Sequence, residues 1–124
     1  MIHHLKCWPE FFEAIRTKRK TFEIRQDDRG FMLGDQLCNQ EWDNELGMAT
    51  GRYLLTAPIT YIMRGPAFGL AKGYVIMSIT VEAVLESGAG EPQLNRQGVE
   101  EFIERSRQVR AFRGTLNKTT SHQR

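Results

Sequence analysis

At 124 residues the chain is sized for one compact domain and leaves little room for a second. Hydrophobic residues at 40% and charged residues at 26% are ordinary globular usage and exclude a disordered or fibrous chain. The net charge of +2 permits a polyanionic partner without demanding one; residues 1–87 carry 10 Lys and Arg against 11 Asp and Glu, and residues 88–124 carry 7 against 4, so the basic excess belongs to the C-terminal part.

In chain order, "IHHLKC" (Ile2 to Cys7) reads as a short strand closed by Trp8, and Pro9 opens a helix at the position where its missing N–H costs nothing. In "PEFFEAIRTK" Glu10 and Glu13 come early and Arg16 and Lys18 late, which suits the helix dipole, and Phe11, Phe12, Ala14 and Ile15 supply the stripe expected to be buried. "KTFEIR" switches to period two, with Phe22 and Ile24 on one face and Thr21, Glu23 and Arg25 on the other. "QDDRGFMLGD" is turn-rich, "QLCNQEW" resumes as strand, and "GRYLLTAPITYIM" is a long β-rich run in which Pro58 marks an edge or a bulge. "RGPAFGLAKG" is a glycine-punctuated loop, and "YVIMSITVEAVL" reads as the most apolar strand, central and covered on both faces. About five strands with one early helix and no βαβ rhythm predict an α+β domain, a small, mostly antiparallel β-barrel or curled sheet.

Past this domain, placed at residues 1–86, the composition changes. Residues 87–124 read as a linker, "ESGAGEPQ", an amphipathic basic helix with Val99, Phe102, Ile103 and Val109 at helical spacing, and a polar frayed tail from Arg113. The two cysteines, Cys7 and Cys38, sit in apolar strand-like runs, where a free thiol acts as a small buried hydrophobe; they are too few for a disulfide framework. No secretory leader or membrane span is recognisable, so the expected setting is cytoplasmic, with no membrane partner.

The densest chemistry lies in "TKRKTFEIR", where Lys18, Arg19, Lys20 and Arg25 surround one glutamate, Glu23. Residues two apart on a strand share a face, so Glu23 and Arg25 project together with Lys20 at the strand's start. Such a set can grip a phosphate with its cations and aim one carboxylate at a base edge or an attacking water. By spacing alone an ordinary solvated strand face with a weak Glu–Arg pair is the simpler explanation. His3 shares a face with Leu5 and Cys7 and reads as a hydrogen-bonded core histidine, because a His3–Cys7 metal pair lacks further ligands at a recognisable spacing. Of the aromatic residues Trp8, Trp42, Tyr53, Tyr61, Phe68 and Tyr74, most are expected in the core, and Trp8 and Trp42 are the ones kept as base-stacking candidates. No phosphate loop, nucleophile elbow or histidine-rich metal motif occurs, and no metal or cofactor is expected.

Several ordered blocks carry a resemblance: "H-x-L-K-x-W-P-E-x-F-E-A-I" from His3, "K-T-F-E-I-R-x-x-D-R-x-F" from Lys20, "G-D" at Gly34, "T-G-R" at Thr50 and "F-G-L-x-x-G-Y-V-I-M-S-I" from Phe68. Together they resemble the ASCH branch of the PUA-like superfamily, over roughly the first two thirds of the chain. The resemblance implies a small β-barrel with a cleft that binds RNA or a nucleotide and accommodates a modified base. The family's "G-x-K-x-x-E-x-R" maps onto Lys18, Lys20, Glu23 and Arg25, with lysine in place of the glycine, a change expected to alter the turn before the strand.

On that resemblance the expected function is an RNA- or nucleotide-binding module. Lys18, Lys20 and Arg25 hold phosphate, Glu23 reads the base edge, and His3, Lys6, Trp8 and Arg52 are candidate wall residues. Other readings stay open. One is an amidohydrolase resembling those that act on N4-acetylcytidine, with Glu23 as general base and Lys20 at the oxyanion; here Glu23 stands where those enzymes have threonine. Another is a metal-independent ribonuclease, and a third is a phage-type interaction module whose C-terminal helix engages a protein partner.

Overall fold

The computed structural model describes residues 1–86 and 96–122, with the side chains of the last helix described for residues 97–113. Strand β1 (Ile2–Cys7) buries His3, Leu5 and Cys7 and exposes His4 and Lys6, as strict alternation requires. Helix α1 (Pro9–Arg16) starts on Pro9 with Trp8 in extended conformation before it, carries Glu10 in its first turn and Arg16 in its last, and buries Phe12 and Ile15. Phe11, expected in that stripe, is instead 40% exposed.

The helix ends in a Schellman motif. Thr17 is the C-cap, the Arg19 N–H donates to the Ala14 carbonyl at 2.9 Å, and the Lys18 N–H donates to that of Ile15 at 3.0 Å. This motif requires a left-handed residue after the cap, and Lys18 supplies it with φ 62. The lysine that stands where the resembling pattern has glycine therefore takes up a left-handed backbone here.

The remaining strands are β2 (Phe22–Gln26), β3 (Gln36–Asp43), β4 (Met48–Thr56), β5 (Tyr61–Arg64), β6 (Tyr74–Ser78) and β7 (Val81–Glu86). They form two sheets, a four-stranded one in the order β1-β3-β4-β7 and a three-stranded one in the order β2-β6-β5. Only β1 with β3 pairs in parallel among the described strands. The architecture is α+β, and its seven strands lie in two sheets where one barrel of about five was expected. Both extra strands come from long apolar runs that change sheet partway. "GRYLLTAPITYIM" breaks at Ala57–Thr60, where Pro58 has no N–H to offer a ladder and the flanking Ala57 and Ile59 N–H groups donate to Thr80 and Asp35. "YVIMSITVEAVL" breaks at Ile79, whose N–H donates to Thr21. Consequently β6 is central in the second sheet while β7 is an edge of the first, so that run is not one strand covered on both faces.

The core lies between the sheets and α1: Leu5, Leu37 and Leu54 from the first sheet meet Val75 and Met77 of the second, with Phe12, Ile15, Phe31, Ile59 and Ile79 filling in. A fully buried ring such as Phe12 contributes on the order of 1.5–3 kcal/mol of transfer free energy. His3 sits in this region as expected of a core histidine, its Nε2 2.8 Å from Asp35 Oδ2 and its ring edge-on to Phe31 at 4.7 Å.

The chain divides into two compact units, residues 1–93 and 94–124. The second is helix α2 (Arg96–His122), with Val99, Phe102 and Ile103 on one stripe. Its backbone stays helical through the segment expected as a frayed tail; the linker expected at 87–95 lies outside the described residues. No described helix is long and apolar enough to cross a membrane.

Candidate functional site

Strand β2 decides where the site lies, because its two faces are inverted relative to the simplest reading of its sequence. Glu23, the charged residue, is 5% exposed, whereas Phe22 and Ile24 are 44% and 48% exposed. Residues Glu23 and Arg25 turn inward, beside Val75 and Met77 of the neighbouring β6. A cleft of about 310 Å³ opens beside them, lined by Lys6, Cys7, Trp8, Phe11, Glu23, Ile24 and Arg25. It is built from the end of β1, the first turn of α1 and the middle of β2.

One glutamate oxygen is shared between two cations. Glu23 Oε1 lies 3.6 Å from Lys20 Nζ and 3.4 Å from Arg25 Nε, and Arg25 Nη2 donates to the Lys6 carbonyl at 2.8 Å. The other oxygen, Oε2, is buried and has no hydrogen-bond partner among the described residues. A buried carboxylate oxygen left unpaired forfeits its hydration, at a cost of roughly 1–3 kcal/mol or more. The wall opposite is aromatic: the Trp8 and Phe11 rings stack with centroids 6.0 Å apart and planes inclined by 14°. Lys20 Nζ sits over the Phe11 ring at 5.0 Å and over the Phe22 ring at 5.3 Å, and Lys6 Nζ lies 3.9 Å from the Trp42 ring centroid. The cleft thus offers flat apolar surface, one unsatisfied acceptor and cations at its edge.

Cys7 also lines it. Burial, reinforced by the Glu23 carboxylate and opposed by Lys20 and Arg25, pushes the Cys7 thiol up to about 12, so it is a poor nucleophile.

Of the residues expected to form the site, Lys6, Trp8, Glu23 and Arg25 line the cleft, and Lys20 reaches it through its contacts with Glu23 and Phe11. Lys18 stands on the exposed turn just before β2. His3 and Arg52 are not brought to it. His3 is committed to Asp35, as described. Arg52 on β4 is held by three carboxylates, Glu13 at 3.4 Å, Glu41 at 3.3 Å and Glu86 at 3.2 Å, and its guanidinium lies 4.7 Å from the Phe12 ring centroid. Thr50 donates to the same Glu41 at 2.6 Å, which makes the cluster a cross-brace between α1 and the first sheet. Within it the Arg16 guanidinium, assisted by Arg52 and opposed by burial, brings the Glu13 carboxyl down to about 2.

Sequence reasoning missed Phe11, Ile24 and Cys7 as lining residues. The signal for Phe11 was present, since residues three apart on a helical turn are neighbours and Trp8 precedes it by three. Among the described residues no group of three His, Cys, Asp and Glu converges as a metal site would require. A family model described as a domain of unknown function (DUF3850) matches residues 2–79, well over half the chain and the whole of the cleft. No curated protein matches the chain.

Proposed function

The chain belongs to the DUF3850 family, and from the chemistry of its cleft we propose that it binds RNA or a nucleotide in the manner of a PUA-like, ASCH-type module. The observation that carries this reading is Glu23 Oε2, a buried acceptor without a donor among the described residues, in a slot lined by stacked aromatic rings. A flat heterocycle bearing an exocyclic amine supplies what is missing: a π-face for Trp8 and Phe11 and an N–H for Glu23, the pairing by which carboxylates read cytosine. Lys20 and Arg25, and Lys18 on the adjoining turn, are placed to meet a phosphate, where they fix position without reading sequence.

The test is titration of the protein with the four nucleoside monophosphates, followed by the quenching of tryptophan fluorescence. Trp8 is 54% exposed and reports directly on the slot. Amine-bearing bases are expected to bind more tightly than uracil, Glu23→Ala to erase that preference, and Lys20→Ala to weaken all bases alike. Absence of binding, or equal and base-blind losses from both substitutions, overturns the proposal. A parallel incubation of N4-acetylcytidine-containing RNA in chelator separates binding from hydrolysis. Unchanged RNA is the expected result, and deacetylated or cleaved RNA that is lost on Lys20→Ala would replace a binding module by an enzyme.

A further inference from the structure

The second sheet carries an apolar outer face that the fold leaves in solvent. Cross-strand partners point to the same side, and the register groups this face into rows. Phe22, Ser78 and Tyr61 form one row, and Ile24, Ile76 and Met63 form the next. Phe22 and Tyr61 are 44% and 64% exposed, and Tyr74, on the same side of β6, is 40% exposed. Tyr61 and Tyr74 were expected in the core; the alternation of β5 and β6 puts Ile62, Val75 and Met77 inward instead and turns the tyrosines out.

We infer that this face is a stacking platform for the bases that flank the one held in the cleft, so that the ligand is single-stranded nucleic acid and not a free nucleotide. The inference rests on the nucleotide-binding reading of the cleft.

Three observations carry it. The face is continuous with the cleft, because Ile24 lines the cleft with one strand face already turned outward, and Lys20 bridges the two surfaces by lying over both Phe11 and Phe22. The spacing fits a base. With strands about 4.8 Å apart, Phe22 and Tyr61 stand two strands, roughly 9.6 Å, from one another across the small Ser78. Two offset stacks of about 4.5–5 Å each fill that gap with one ring between them. The charge also fits. The rows contain no carboxylate, and the turn leading into β2 supplies Lys18, Arg19 and Lys20. Aromatic residues interleaved with cations along a backbone track are what binding to single strands uses.

The experiment compares cytidine 5′-monophosphate with a short single-stranded oligocytidylate on the full chain, using wild type, Phe22→Ala, Tyr61→Ala and the ring-retaining control Tyr61→Phe. The oligonucleotide is expected to bind more tightly than the monophosphate. Each alanine substitution should weaken the oligonucleotide roughly five- to a hundred-fold, with the monophosphate unchanged and Tyr61→Phe near wild type. If the monophosphate binds and the oligonucleotide gains nothing, or the alanine variants bind it normally, the platform is overturned and the cleft reading survives. If neither binds, both fall. A platform that serves self-association would show instead as a change of oligomeric state in the alanine variants at unchanged affinity, which also overturns the inference.

Discussion

Replacing Lys18 by glycine should make the protein more stable and bind nucleic acid less well. Lys18 has φ 62 at the position of the Schellman motif that glycine fills most readily. A residue with a Cβ is penalised there by roughly 1–2 kcal/mol, and glycine's greater freedom in the unfolded chain returns about 0.5–1 kcal/mol of that. The net gain is about 0.5–1 kcal/mol, which for a domain of this size raises the melting temperature by about 2–5 °C. Thermal unfolding followed by circular dichroism measures it, and Lys18→Ala is the control that separates backbone from charge. Alanine removes the ammonium but shares the penalty, so only glycine should raise the melting temperature. If Lys18 touches phosphate, both variants should lose affinity for single-stranded RNA, and the slope of log affinity against log salt should shrink by about 0.7. Glycine and alanine variants that melt alike would refute the claim that the lysine is held in a conformation it disfavours.

The other predictions concern the cleft and the two ion clusters. Cys7 should alkylate slowly, and Glu23→Gln, by removing a negative charge that raises the thiol, should speed it a few-fold. Cys38, pushed up to about 11 by burial alone, is the internal control that should not change in a peptide-mapped alkylation time course. At Asp35 burial pushes the carboxyl up, but hydrogen bonds from His3 and the Met32 N–H outweigh it and hold the group below the usual aspartate range. A depressed carboxyl stabilises the fold fully above the unfolded value near pH 4 and loses that contribution as pH falls through the folded value. Asp35→Asn should therefore cost about 2 kcal/mol at neutral pH and flatten the acid limb of a stability–pH curve; an unaltered limb would count against it. Arg52→Met should leave the buried Glu41 without its guanidinium and destabilise by about 2 kcal/mol or more, with cleft affinity unchanged. Loss of nucleotide binding in a still-folded Arg52→Met protein would return Arg52 to the site.

Local signals made the first third of the chain legible. Pro9 placed the helix start, the alternation of "IHHLKC" placed His3, Leu5 and Cys7 inward, and the composition change placed the C-terminal helix. What local signals could not supply was the partition of strands between sheets. "YVIMSITVEAVL" has no glycine or proline to mark its break, and the chain leaves one sheet for the other at Ile79 because of hydrogen bonds to Thr21 and Ala57, residues distant in sequence. A closed barrel and a pair of packed sheets share the same strand pattern. Only long-range pairing tells them apart.

The candidate site was legible in part of its lining, Lys6, Trp8, Glu23 and Arg25, and illegible in its orientation. Period-two alternation says that Phe22 and Ile24 lie opposite Glu23 and Arg25, yet it is silent on which pair faces the core, and burial of apolar surface favours the wrong one. The observed choice has two costs at once: a carboxylate oxygen buried without a donor and two large apolar side chains left in water. Flipping the strand would relieve both. A single ligand spanning the cleft and the outer face would relieve both costs together. This coupling is the physical reason for treating the inward glutamate and the outward phenylalanine as parts of one binding surface, and it makes a specific demand. Substitution at Phe22 should weaken a strand-length ligand more in the presence of Glu23 than in a Glu23→Ala background. A double-mutant cycle giving strictly additive losses would show that the two faces act independently.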